Sequence, residues 1–292
     1  MISTPVILRN AQLEVRLLLP GCGYHRSRYD FGGVAEQVLY QGHRYLSRET
    51  IGDGDGLGGV GIVSVIEWED SAFYDETPVA DLFPQPGVGL LRRTGTAPYQ
   101  FNAEYPVITP FERVITSRAD SLTVRTLPHL CAGVAVDQQK TLALTQNALE
   151  IRYSFRNAGN RALRATEFCH NFFRLDDLPV DGRYRLQLPY ALQPKVRRGQ
   201  LLLERDAYRL GALDGPTASS AFWVEGYEGL QAHWMRLTHD DTPAAIRVED
   251  EFPVCRFYGW NNAAAFCPEV FAPIRLQPGE EVSYLRRYVF TA

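Results

Sequence analysis

The sequence predicts an all-β protein built on large antiparallel sheets. Three observations carry this. Apolar and polar residues alternate with period two along many segments, clusters of turn formers separate those segments, and helical periodicity is scarce. In "ALEIRYSF", Leu149, Ile151, Tyr153 and Phe155 fall on one face, and Glu150, Arg152 and Ser154 on the other. That is the pattern of a half-buried strand. The preceding "KTLALTQN" runs into it through Asn147–Ala148, a hairpin without the Asn-Gly signature.

In chain order, further strands are predicted at "AQLEVRLLL", "VAEQVLY", "VGIVSVIEW", "FERVITS" and "SLTVRTL", then at "YRLQL", "QLLLE", "AFWVEG", "LQAHWMRLTH" and the closing "VSYLRRYVF". The segments "PGCG", "GDGDGLGG", "PQPGVG", "NAGN", "LDGPTAS" and "QPGE" punctuate them with turn residues. No capped amphipathic segment exceeds about two helical turns. No internal repeat or low-complexity linker divides the chain, so residues 1–292 are expected to form one domain.

Composition narrows the function. Thirty basic against 34 acidic residues give a net charge of −4, and basic residues gather only in small clusters, such as the pairs Arg92–Arg93 and Arg286–Arg287. No electrostatic footprint for nucleic acid is present. No run approaches the ~18 apolar residues of a membrane span. Arg9 and Glu14 interrupt the N-terminus before an apolar signal-peptide core develops. Five scattered cysteines (Cys22, Cys131, Cys169, Cys255, Cys267) without CxxC spacing predict free thiols, and with them a reducing cytoplasm.

Several motifs fail on their mechanics. Gly54-x-Gly56-x-x-Gly59 has the spacing of a dinucleotide fingerprint, but a strand pattern follows it where a helix N-terminus is needed. Asp53 and Asp55 lack the spacing and the closing glutamate of a calcium loop. His25, His43 and His239 stand in polar surroundings that read as solvated loops, and no HxH or HExxH pair supports zinc. No metal site and no cofactor are expected, and no GxSxG elbow supports serine chemistry.

His170 has a different setting. In "TEFCHNFF" the alternation puts Phe168, His170 and Phe172 on one face, with Glu167, Cys169, Asn171 and Phe173 on the other. A histidine between two phenylalanines is often a packed interior residue. Aromatic rings around one titratable group also form sugar-binding surfaces, where the rings cover C–H faces and polar groups take the hydroxyls. An imidazole there can exchange protons near neutrality, its unperturbed pKa being ~6.5. Glu269 follows Pro268 in an apolar segment with no adjacent lysine or arginine. It reads as a loop carboxylate in water, as half of a distant ion pair, or as a general base with a raised pKa.

Together, "TEFCHNFFRLDDLPV" and "FCPEVFAPIRLQPGEEVSYLRRYVF" resemble two segments of the aldose 1-epimerase, or galactose-mutarotase-like, family. The first is similar to that family's strand bearing the catalytic histidine. The second is similar to the segment with the catalytic glutamate, a PGE turn and a last strand ending R-x-Y-x-F. "FGGVAEQVLYQGHRYL" is similar to its early hairpin. The resemblance implies a β-supersandwich fold, Glu269 as base and His170 as acid, an aldose as partner, and no metal or cofactor.

Active members usually carry a second histidine some seventy residues before the strand histidine. Here "VGLLRRTGTAPYQFNAEYPV" contains none. Arg92 or Arg93 is the candidate for the arginine that binds sugar hydroxyls, and Tyr99, Gln100 or Phe101 for the missing group. Phe172 is expected to contact the sugar. The expected activity is interconversion of the anomers of a hexose or related aldose. A hexose-6-phosphate 1-epimerase, a non-catalytic carbohydrate-binding protein and a purely structural β protein are the alternatives.

Overall fold

In the structure, a computed structural model, residues 5–22, 24, 26–50, 58–213, 215 and 218–292 are described. Gly54, Gly56, Asp53, Asp55 and His25 lie outside the described residues. Two ten-stranded antiparallel sheets and a three-stranded one make up almost all of the regular structure. Among the described residues the α-helical part is one short element, Ala72–Glu76, in agreement with the scarce helical periodicity.

The first sheet runs in the spatial order Val6–Arg9, Leu13–Leu18, Asp30–Tyr40, Ile62–Trp68, Leu163–Asn171, Phe266–Leu276, Arg256–Asn262, Ser219–Glu225, Gln193–Arg198. The second carries Glu281–Thr291 at its centre, between Thr242–Glu251 and Ala148–Asn157. The hairpin expected at "KTLALTQN…ALEIRYSF" is present, in register from Val136↔Asn157 to Thr145↔Ala148. Its tight loop is Gln146–Asn147, with Gln146 at φ +54°. The segment around Glu269 is not a loop: Glu269 lies within the strand Phe266–Leu276 and is buried. Two prolines and a buried carboxylate hide its strand character, because they remove the period-two pattern.

Alternation builds the core. Tyr153, Phe155, Phe173, Tyr284 and Tyr288 point into the space between the two large sheets. Phe168, Phe172, Val63, Val65 and Phe271 belong to a second apolar cluster on the opposite face of the first sheet, completed by Tyr29. None of the five cysteines forms a disulfide. Among the described residues no helix is long and apolar enough to cross a membrane.

Between the sheets lies a buried ionic network. Arg286, 1% exposed, donates to Glu167 at 2.9 Å and to Asp250 at 3.0 Å. Tyr284 Oη donates to the same Glu167 oxygen at 2.8 Å, and His233 Nδ1 lies 3.3 Å from Asp250. Two of the histidines read as solvated, His43 and His239, are held too. His43 pairs with Asp176 at 2.8 Å, and His239 is buried with its ring edge-on to Tyr184 at 4.6 Å. His239 ends a strand that turns it inward, which neighbouring Asp240–Asp241 does not reveal.

One glycine is tightly specified. Gly61 has φ +60°, and a Cβ there would come within 1.8 Å of the Ala35 carbonyl oxygen. Gly61→Ala is therefore expected to cost about 2–4 kcal/mol, from the left-handed backbone and the overpacking together. The urea midpoint should fall accordingly, and an unchanged midpoint would contradict this close approach.

Candidate functional site

The strand Leu163–Asn171 (the histidine strand) and the strand Phe266–Leu276 (the glutamate strand) are antiparallel neighbours, paired from Leu163↔Leu276 to Phe168↔Phe271. Carried two residues further, this register sets His170 opposite Glu269. Directly opposed side chains on one sheet face are near neighbours. His170 Nε2 lies 3.2 Å from Glu269 Oε1. Each residue is 3% exposed. Phe172 stacks flat on the imidazole, with ring centroids 4.2 Å apart and planes at 5°, while Trp260 and Tyr29 approach it edge-on.

Burial sets the electrostatics of the pair. Loss of solvent raises the Glu269 pKa to about 8, against the opposing pull of Arg28 and Arg256. Loss of solvent, then the Arg28 charge, pushes His170 well below its ordinary 6.5. Both shifts favour uncharged forms, so near pH 7 the pair holds a carboxylic acid beside a neutral imidazole. The other ring nitrogen, Nδ1, is buried. That atom has no hydrogen-bond partner among the described residues. One group can give a proton and the other can take one.

The pair forms part of the wall of a cleft of about 580 Å³. Aromatic side chains line it (Phe101, Trp223, Tyr258, Trp260, Phe271), together with four arginines, Arg28, Arg197, Arg198 and Arg256. Glu49 and Glu67 are its other carboxylates. Arg256 pairs with Glu67 and stands over the Phe271 ring at 3.8 Å. Arg28 packs against Tyr29 at 5.0 Å and Phe101 at 5.6 Å, and its Nε has no partner among the described residues. No group of three or more His, Cys, Asp or Glu able to hold a metal ion occurs among the described residues.

The structure brings His170 and Glu269 together and leaves Arg92, Arg93 and Tyr99 off the cleft. Arg93 does not line the cleft. It is buried, and its guanidinium is consumed by the carbonyls of Tyr74, Asp75, Thr77 and Gly95. Arg92 is exposed on the three-stranded sheet and does not line the cleft either. Tyr99 donates to Gln85 at 2.9 Å within an aromatic group of Tyr74, Phe83 and Tyr105. Of the three residues considered for the missing histidine, Phe101 reaches the cleft. Phe172 is fully buried and backs the imidazole instead of facing the opening.

The missed residues left partial signals. Arg256, Tyr258 and Trp260 alternate with Phe257, Gly259 and Asn261, a period-two stripe whose first set faces the cleft. Trp223 stood in a recognised strand. Arg197 and Arg198 form an adjacent pair beside Lys195 on the edge strand Gln193–Arg198, a signal as plain as Arg92–Arg93, and nothing local marks Arg28, from the segment after Gly21.

Comparison with solved structures bears on this architecture. A candidate aldose 1-epimerase from Escherichia coli K12 superposes with a TM-score of 0.63 at 16% identity, over 99% of this chain and 99% of the other. A galactose mutarotase related enzyme from Lactobacillus acidophilus gives a TM-score of 0.58 at 13% identity over 99% and 98%. A galactose mutarotase-like protein from Lactobacillus casei gives 0.57 at 11% identity over 99% and 100%. This chain has the galactose-mutarotase-like fold. At these identities the likeness establishes the mutarotase-like architecture of the two sheets. No protein-family model and no curated protein matches the chain.

Proposed function

We propose that this protein is an aldose 1-epimerase-like enzyme that interconverts the α and β anomers of a hexose or related sugar. The observation that carries this is the buried His170–Glu269 pair, 3.2 Å apart on the wall of an aromatic cleft. Ring opening needs a base on the C1 hydroxyl and an acid on the ring oxygen, and closing needs the reverse. The single proton of the pair passes from the Glu269 carboxyl to His170, and the Glu269 carboxylate so formed takes the C1 hydroxyl proton while the His170 imidazolium protonates O5. The aldehyde then turns about C1–C2, and ring closure from the other face exchanges the two roles. Two positioned groups of this kind each contribute roughly 10²–10⁴-fold. The mutarotase-like fold of the solved relatives supports the same reading.

The four cleft arginines favour a second reading within the same chemistry, a sugar 6-phosphate. They outnumber Glu49 and Glu67, and a guanidinium fork suits phosphate oxygens. NMR exchange spectroscopy on the anomers of glucose, galactose and their 6-phosphates tests both. Wild-type protein should speed α–β exchange of at least one sugar. The phosphate reading requires that a 6-phosphate exchange faster than its parent and that Arg197→Ala with Arg198→Ala remove the difference. Binding without exchange would mark a carbohydrate-binding protein, and neither binding nor exchange would overturn the proposal.

A further inference from the structure

Pairing between the two strands of the site lapses where they carry the acid and the base. It stops at Phe168↔Phe271 and resumes in the same register only at the bridge Phe173↔Phe266. There both backbone bonds are exchanged, Phe173 N to Phe266 O at 3.1 Å and Phe266 N to Phe173 O at 2.9 Å. Antiparallel ladders alternate hydrogen-bonded and non-hydrogen-bonded pairs. Counting back from Phe173, Asn171 and Pro268 occupy a hydrogen-bonded position, and His170 and Glu269 a non-hydrogen-bonded one. Non-hydrogen-bonded pairs bring side chains closest, which suits a contact between acid and base. Pro268 has no N–H to give, so the bonded position beside the pair cannot close normally.

A side chain spans the lapse. Asn171 Nδ2 donates to the Pro268 carbonyl at 2.7 Å. Tyr288 Oη, from the closing strand of the second sheet, donates to Asn171 Oδ1 at 3.1 Å and so fixes which end of the amide faces Pro268. Asn171 is fully buried. Each strand is paired on its outer side, His170 with Val63 and Glu269 with Tyr258. The outer ladders hold each strand to its own neighbour, and the Asn171 amide bridges the opening between them.

We propose that Asn171, oriented by Tyr288, is a positioning residue that sets the separation of His170 and Glu269. This rests on the acid–base reading above. It assigns a task in the site to Tyr288, the tyrosine of the closing R-x-Y-x-F. Arg286 of the same segment donates to the Val270 carbonyl at 2.8 Å, on the other side of Glu269.

The test compares Asn171→Ala and Tyr288→Phe with the wild-type chain, using whichever sugar the wild type turns over. Asn171→Ala is expected to lower kcat about 10- to 100-fold with KM within about twofold, because small misplacements of reacting groups are costly in rate. Tyr288→Phe, which deletes only a hydroxyl, should lower kcat in the same sense by less. A second readout needs no turnover: the ¹³C chemical shift of the Glu269 carboxyl, followed through a pH titration. In the variants its midpoint should move and lose its coupling to His170. Variants that melt at lower temperature yet keep the wild-type kcat and the wild-type Glu269 titration would overturn the proposal. Should the wild type turn over no sugar, the acid–base reading falls, and an unmoved Glu269 midpoint in both variants would separately overturn the positioning role.

Discussion

Glu269→Gln is expected to reduce anomer exchange by about 10²–10⁴-fold while making the folded chain more stable at alkaline pH. Glutamine keeps the shape of the side chain and cannot take a proton from the C1 hydroxyl. The stability effect follows from burial. The carboxyl titrates near 8 in the folded chain against an ordinary value of 4.5. A group whose folded pKa is raised contributes stability that is complete below the unfolded value and is lost as pH rises through the folded one. The wild type therefore loses stability between about pH 4.5 and 8, on the order of a few kcal/mol, and the glutamine variant does not lose that part. Urea unfolding of both proteins at pH 5 and pH 9 measures the difference. A constant gap between them would show that Glu269 titrates normally.

The same pair sets the pH dependence of activity. Above about pH 8 the pair loses the proton it needs as an acid. His170 is depressed well below 6.5, so a second proton arrives only in the acid range. Exchange should show a plateau through neutrality with an alkaline limb near pH 8. An acid limb centred at the ordinary histidine value would contradict a buried, neutral imidazole.

Arg286→Met is expected to cost about 3–5 kcal/mol, because it leaves Glu167 and Asp250 as buried carboxylates without their cation. The isolated attraction matters less than what removal strands: both partners are at most 1% exposed and cannot reach water. Adding Glu167→Gln to Arg286→Met should recover part of the loss, since it deletes one stranded charge. A double-mutant cycle by chemical denaturation checks this, and strictly additive losses would mean that Arg286 acts through packing alone.

The histidine strand was legible because its information is local. Alternation along "TEFCHNFF" depends only on chain geometry, and the structure keeps Phe168, His170 and Phe172 on one face and Glu167, Asn171 and Phe173 on the other. What that face turns toward is not local. The same alternation is compatible with a packed histidine, and here Phe172 does pack against it while Glu269 meets its Nε2. Glu269 was identified by resemblance to a family segment. Its own neighbourhood left a solvated loop open, and only the register of two strands 99 residues apart excludes that.

By itself, then, the sequence determined the all-β class, the strand faces and the free thiols, because period two and turn chemistry are written residue by residue. Tertiary structure decided the arginines. Arg92–Arg93 and Arg197–Arg198 are equally plain pairs in the sequence, but the carbonyls around Tyr74–Thr77 absorb Arg93 and the three-stranded sheet carries Arg92 to solvent. Arg28, Arg197, Arg198 and Arg256 reach the cleft from three separate parts of the chain. A guanidinium sits at the end of a long side chain, so its position follows from which segments converge and not from its neighbours in sequence.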